Sequence, residues 1–235
     1  PVDSEAPEGR LILPQVQVLR DLLDHDACAV VVKERELAPM LKALTHPPAL
    51  VVTDSQAFQK VAADTPRNVP MTSISVLFAR FKGDLVQQTE GAQALLRLKP
   101  GARVLIAESC THHPICEDIG RVQIPRWLTR RVGGPVETVV SPGRAFPEDL
   151  TGFDLVIHCG GCMLTRREML IRIAQARAAG VPMTNYGLAI AACLGILDRA
   201  VEPFARLAGT AHAAAAPGAA RTGSRRAPRA APPRG

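Results

Sequence analysis

Four short aliphatic runs constrain this chain more than anything else in it: Arg103–Ala107 (RVLIA), Val136–Ser141 (VETVVS), Asp154–Ile157 (DLVI) and Val181–Thr184 (VPMT). Each is strand length and bounded by Gly, Pro or Asp, and helical periodicity fills Ile119–Val132 and Arg166–Ala179 between them. Connections this long do not make hairpins. They make crossovers, so the segment is expected to form a Rossmann-like three-layer α/β domain with a parallel sheet. Aromatic residues are only 3% of the chain. The core must therefore come from Leu, Val, Ile and Ala, which suits a parallel sheet covered on both faces.

The preceding residues read as a smaller α/β unit. Residues 1–9 are an acidic, Pro- and Gly-containing linker, and 10–66 alternate between strand-like and helical segments. Leu11–Leu13 is a candidate strand, Pro14 opens a helix to about Asp24, and Cys28–Lys33 (CAVVVK) is expected to be a buried strand. Glu34–Leu44 and Ser55–Ala63 are expected helices around the strand Ala49–Thr53. An exposed strand edge here would favour pairing with a second copy. Cys28 reads as a buried small hydrophobe, His25 and His46 as solvated. The run Thr65-Pro66-Arg67-Asn68-Val69-Pro70 breaks the pattern and is taken as the boundary. The second unit, 67–208, opens with helices at about Ser73–Phe81 and Asp84–Leu98 and closes with small-residue helices to about Leu207, with Cys193 in the core. Residues 209–235 are Ala, Pro, Arg and Gly without periodicity, the composition of a disordered tail.

The net charge of +6 suggests nucleic acid until it is located. Arg221, Arg225, Arg226, Arg229 and Arg234 all fall in the tail, and without them 23 basic residues face 22 acidic ones. No basic stripe interleaved with aromatics remains, so a nucleic-acid partner is not expected. The longest apolar run, Leu188–Leu197, is about half a membrane span. Six cysteines in 235 residues, behind an acidic N-terminus, point to a reducing cytoplasm. There, Cys-x-x-Cys beside His signals metal or redox chemistry.

That chemistry is split in two. Cys110-Thr111-His112 follows the first strand of the second unit, and His158-Cys159-Gly160-Gly161-Cys162 follows the third, with 45 residues between the two histidines. Loops leaving the C-terminal ends of parallel strands share one edge, where ligands bind. Cys110, Cys159 and Cys162 are candidate thiolate ligands, soft donors that suit iron–sulfur clusters and zinc. The fourth position is open among His112, His158 and Glu117, and either histidine can instead donate from outside the ligand shell. His113 and Cys116 read as bystanders. Thr165-Arg166-Arg167-Glu168 forms a capping box, which sets Cys162 just before a helix N-terminus. Arg166 and Arg167 stand in a first turn that disfavours cations, a conflict that suggests one of them faces an anionic ligand. Three readings follow: an iron–sulfur scaffold, a structural zinc protein, or a thiol oxidoreductase cycling Cys159 and Cys162.

The motifs ESCTHH, EDIG, IPRWL and HCGGCM (Glu108–His113, Glu117–Gly120, Ile124–Leu128, His158–Met163), with LILPQVQVLRDLLD, VVVKEREL and VTDSQAF upstream, resemble the FeFe-hydrogenase maturation factor (HydF) family over about residues 10–207. The resemblance implies a dimerisation unit followed by a cluster-binding domain, with Cys110, Cys159 and Cys162 as ligands of a 4Fe–4S cluster and His112 and His158 as motif positions. It implies a scaffold and carrier, not an enzyme. Such a homodimer accepts a transient diiron precursor made with radical-SAM maturases and delivers it to the FeFe-hydrogenase apo-protein. The family's GTPase domain binds GTP. These 235 residues contain no Gly-x4-Gly-Lys-Ser/Thr phosphate loop, so nucleotide hydrolysis is not assigned to them.

Overall fold

The computed structural model describes residues 1–2, 9–109, 118–143 and 145–214, with side chains through residue 205. The chain packs as two units, Pro1–Pro203 and Phe204–Gly235. All contacts below lie within the first.

The chain opens with helix α1 (Leu13–Asp24). Leu11–Leu13 is not a strand: the Gln15 side chain accepts the Ile12 amide proton at 2.9 Å, and Pro14 presets the first helical turn. Cys28–Lys33 is not a laddered strand either. Its one bridge joins Lys33 to Val2, while Cys28 is exposed and Val30 and Val31 are 55% and 49% exposed. Within one chain this apolar run finds no strand to pair with, which also corrects the burial expected of Cys28. His25 and His46 are exposed as expected. A 3-10 turn (Glu34–Glu36) leads into α2 (Leu37–Ala43).

Strand β1 (Val51–Thr53), helix α3 (Phe58–Asp64) and strand β2 (Met71–Ser73) then form a parallel crossover, with Val51 opposite Met71 and Thr53 opposite Ser73. The Thr65–Pro70 break is the turn inside that crossover. Ser73 caps α4 (Ile74–Lys82) and Asp84 caps α5 (Leu85–Leu95), each accepting a backbone proton three residues on.

The larger sheet is built from β3 (Arg103–Ala107), β4 (Glu137–Ser141), β5 (Leu155–His158) and β6 (Met183–Asn185), all parallel, in the order β4-β3-β5-β6. Between β3 and β4 the chain makes a π-turn (Ile119–Gln123) and α6 (Ile124–Val132), closed by Gly133 at φ 75°. Helix α7 (Arg166–Ala178) follows β5, and α8 (Tyr186–Cys193) and α9 (Leu197–Ala214) complete the described chain. The helix runs past Leu207 through 209–214, part of the expected tail, because Ala211, Ala213 and Ala214 are strong helix formers. The rest of the tail lies outside the described residues.

Alternation along the strands sorts the core into two faces. Leu105, Ala107 and Val156 join Met169, Ile173 and Ala176 of α7 in one cluster. Val104, Ile106, Leu155 and Ile157 point the other way and are equally inaccessible. The sheet is therefore buried on both sides, the three-layer arrangement expected from the composition. Among the described residues no helix is long and apolar enough to cross a membrane.

Candidate metal centre

The strand order decides where a site can form. From β3 the chain goes to one side to reach β4, then returns across β3 to lay β5 on its other side. This is a flavodoxin-like reversal, and ligands bind at the crevice where the order reverses, outside the carboxyl ends of the two strands. The loops leaving β3 and β5 flank that crevice. They are the two loops that carry the cysteine motifs.

The described residues tie the loops together. Ala107 pairs with His158 in register, and the Cys159 amide donates to the Ala107 carbonyl at 2.8 Å. The Ser109 amide donates to the Cys159 sulfur at 3.2 Å. Cys110 follows Ser109 directly in the chain. Cys110, His112 and Glu117, with His113 and Cys116, lie outside the described residues. Among the described residues no cluster of three metal-ligating side chains occurs.

Cys159 and Cys162 are free thiols, Cys159 buried and Cys162 partly exposed. Between them, a Cβ on Gly160 would stand 3.9 Å from the Ser75 hydroxyl, whereas Gly161 adopts φ +63° with its α-carbon against the Met169 side chain. Only glycine takes that turn without strain. The capping box on α7 is present as expected. Thr165 accepts from the Glu168 amide at 3.2 Å, and Glu168 accepts from the Thr165 amide at 2.8 Å. The loop therefore ends at a helix N-terminus, whose partial positive charge favours thiolates. Two soft sulfur donors on a glycine-freed loop at the switch point fit a metal or iron–sulfur group.

His158 is the last residue of β5 rather than part of the loop, and it is fully buried. Its Nε2 lies 2.8 Å from Nη1 of Arg172 and 3.2 Å from the Ser109 hydroxyl, and its Nδ1 lies 2.7 Å from the Cys159 carbonyl. A guanidinium only donates, so Nε2 is the acceptor and Nδ1 carries the proton given to the Cys159 carbonyl. Both ring nitrogens are engaged in orienting the chain at Cys159.

Arg172 was not singled out from the sequence, although a signal existed. It falls with Met169, Ile173 and Ala176 on the buried stripe of α7, where a cation has no reason to be unless it is used. It is 6% exposed, donates to Ser109 Oγ at 3.3 Å and lies 5.1 Å from the Phe146 ring centre. Two more residues were missed. Glu108, at the end of β3 and 3% exposed, accepts from Arg121 at 3.0 Å, an interaction that pushes the arginine's pKa up. Lys82, 9% exposed, reaches the cysteine loop from α4, and burial of its ammonium pushes its pKa down against the opposing pull of Cys162.

Arg166 resolves the conflict of a cation at a helix N-terminus. Its Nη1 donates to the Phe81 carbonyl at 2.6 Å and lies 3.5 Å from that of Arg80, so it serves the negative end of α4. Arg167 is exposed. Cys193 ends α8 half-buried, and burial pushes its thiol up to about 11.

Comparison with known proteins agrees with this geometry. A family model described as the hydrogen maturase F dimerization domain matches residues 1–83, and one described as the hydrogen maturase F tetramerization domain matches residues 86–203. The two meet at residues 84–85, between α4 and α5. No curated protein matches the chain significantly. Together the two models span nearly all of the first packed unit, and the chain belongs to the hydrogen maturase F family.

Proposed function

We propose that this protein is an iron–sulfur scaffold and carrier in hydrogenase maturation, holding a 4Fe–4S cluster on the thiolates of Cys110, Cys159 and Cys162. The family's domains indicate a role in hydrogenase maturation. The observation that supports the metal reading is the convergence at the β3/β5 switch point, where the amide preceding Cys110 donates to the Cys159 sulfur at 3.2 Å. When bound, such a cluster supplies an iron whose fourth position is open to an incoming group. The cargo is the diiron precursor of the hydrogenase active site, received from radical-SAM maturases and passed to the apo-hydrogenase.

The protein's own residues do the holding and orienting. Glu117 and His112 are candidates for the fourth position, whereas His158 already uses both nitrogens and acts through Cys159. Buried Arg172 sets a positive charge beneath an anionic site.

Oligomerisation follows from the family's domains, and we place the homodimer contact on the first family region. There Val16 and Leu23 of α1 are 46% and 59% exposed beside the unpaired run 28–31. Contiguous apolar surface of this kind marks a protein interface.

Anaerobic reconstitution with iron and sulfide tests the cluster. Wild-type protein is expected to turn brown, with a reduced-state EPR signal, and Cys110→Ala, Cys159→Ala and Cys162→Ala to lose both. Colourless protein holding zinc supports a closed zinc site instead. Full thiol–disulfide activity without metal, unaffected by Cys110→Ala, supports the oxidoreductase.

A further inference from the structure

Helix α4 belongs to the region matched by the dimerization model, and the cysteine loop to the region matched by the tetramerization model. The two are joined by a pair of cations, one from each side. From α4, the Lys82 ammonium donates to the Cys162 carbonyl at 2.7 Å, the Leu164 carbonyl at 3.0 Å and the Gly161 carbonyl at 3.3 Å. From α7, Arg166 returns two contacts to the carbonyls of Phe81 and Arg80.

An ammonium has three protons, and here all three are directed at one short loop. The stem of Lys82 lies along α4, its nitrogen 5.1 Å from the Phe78 ring centre, so the charge is held in place as well as satisfied. Gathering three carbonyls around one cation turns the peptide units from Gly161 to Leu164 in a common sense. A carbonyl pulled toward α4 directs its partner amide away from α4, because the two ends of a peptide plane point oppositely. Amides so oriented, together with the α7 N-terminus, favour negative charge on the sulfur side of the loop.

We propose that Lys82 is a positioning residue for the metal-binding loop. By collecting the carbonyls of Gly161, Cys162 and Leu164, it fixes the conformation that presents Cys159 and Cys162, and it makes that conformation depend on α4 of the dimerization region. The proposal rests on the metal reading above. It adds a residue that touches no metal and that lies outside the cysteine motifs.

The test uses the full chain in three forms: wild type, Lys82→Met, which keeps the apolar stem, and Lys82→Arg, which keeps the charge. Two readouts separate loop positioning from general stability. The first is amide hydrogen exchange of the metal-free protein. Lys82→Met should speed exchange at residues 161–165 by about 10-fold or more while leaving α5 and β3 at wild-type rates. The second is Co(II) titration of the reduced metal-free protein, followed by the sulfur-to-cobalt absorption. Supporting groups behind metal ligands typically contribute about 10–100-fold in affinity, and a loss in that range is expected for Lys82→Met with partial recovery in Lys82→Arg. Unchanged loop exchange and unchanged cobalt affinity in Lys82→Met overturn the proposal while leaving the metal reading intact. Exchange that rises uniformly across the chain overturns it in favour of a purely structural lysine. Wild-type protein that binds neither cobalt nor iron overturns the metal reading and the proposal with it.

Discussion

Replacing Arg172 with Met should loosen the centre at its base, and the structure sets the size of the effect. Met fills much of the same volume and can keep contact with Phe146. What is lost is the hydrogen bond to His158 Nε2 at 2.8 Å and the one to Ser109 Oγ at 3.3 Å. A hydrogen bond involving a charged group contributes about 1.5–3 kcal/mol, and the buried Nε2 left behind costs about 1–3 kcal/mol more. Against this stands the release of a guanidinium that is 6% exposed, since an effective desolvation penalty for a buried ion is several kcal/mol. The opposing effects leave a net destabilisation of about 2 kcal/mol, or roughly 30-fold in the folding equilibrium.

Reversible urea unfolding of the reduced, metal-free protein measures it. A double-mutant cycle with His158→Phe isolates the pair, because Phe retains ring packing and removes both nitrogens. The coupling should exceed about 1 kcal/mol, well above the ~0.3–0.5 kcal/mol scatter of independent sites. An Arg172→Met protein as stable as wild type, with no coupling to His158, would refute the account of a locked imidazole.

Three further outcomes follow from the same geometry. Gly91→Ala should destabilise the fold by about 1–3 kcal/mol in thermal unfolding, because the added Cβ would stand 2.5 Å from the Met183 carbonyl carbon in β6 and α5 would have to lift. Cys193, with its thiol raised to about 11 from an ordinary 9.0, holds roughly 100-fold less thiolate at pH 8 than an unperturbed cysteine. Iodoacetamide labelling followed by mass spectrometry should find it the slow site beside exposed Cys28, with its rate still climbing above pH 9. A double change of Val30→Asp and Val31→Lys should shift sedimentation toward the smaller species while leaving helix content unchanged. An unaltered sedimentation profile would move the contact away from residues 28–31.

Much of the framework could be read from local pattern. The run RVLIA is β3 residue for residue, and Thr165 with Glu168 marks the start of α7, because strand burial and helix capping are settled by neighbours within a few residues. The run CAVVVK shows the limit of that logic. Its composition is that of a strand, yet a strand also needs a partner, and the folded single chain provides only the bridge to Val2. The boundary placed at Thr65–Pro70 shows the same limit, since a Pro-rich turn inside a crossover is written like a linker between domains.

The candidate centre divides in the same way. Spacing alone identified the thiols, because sulfur donors and a Gly-Gly turn are legible as residue types. The cations that serve them were not: Lys82 lies 79 positions before Gly161, and Arg172 lies 63 after Ser109. Their roles arise from strand order, which lays β5 beside β3 and brings α4 and α7 against the same loop. The chain's chemistry was thus written in its sequence as a set of soft donors awaiting a meeting point. Only the tertiary structure decided which buried charges hold that point open, because a hydrogen bond across dozens of residues leaves no local periodicity to detect.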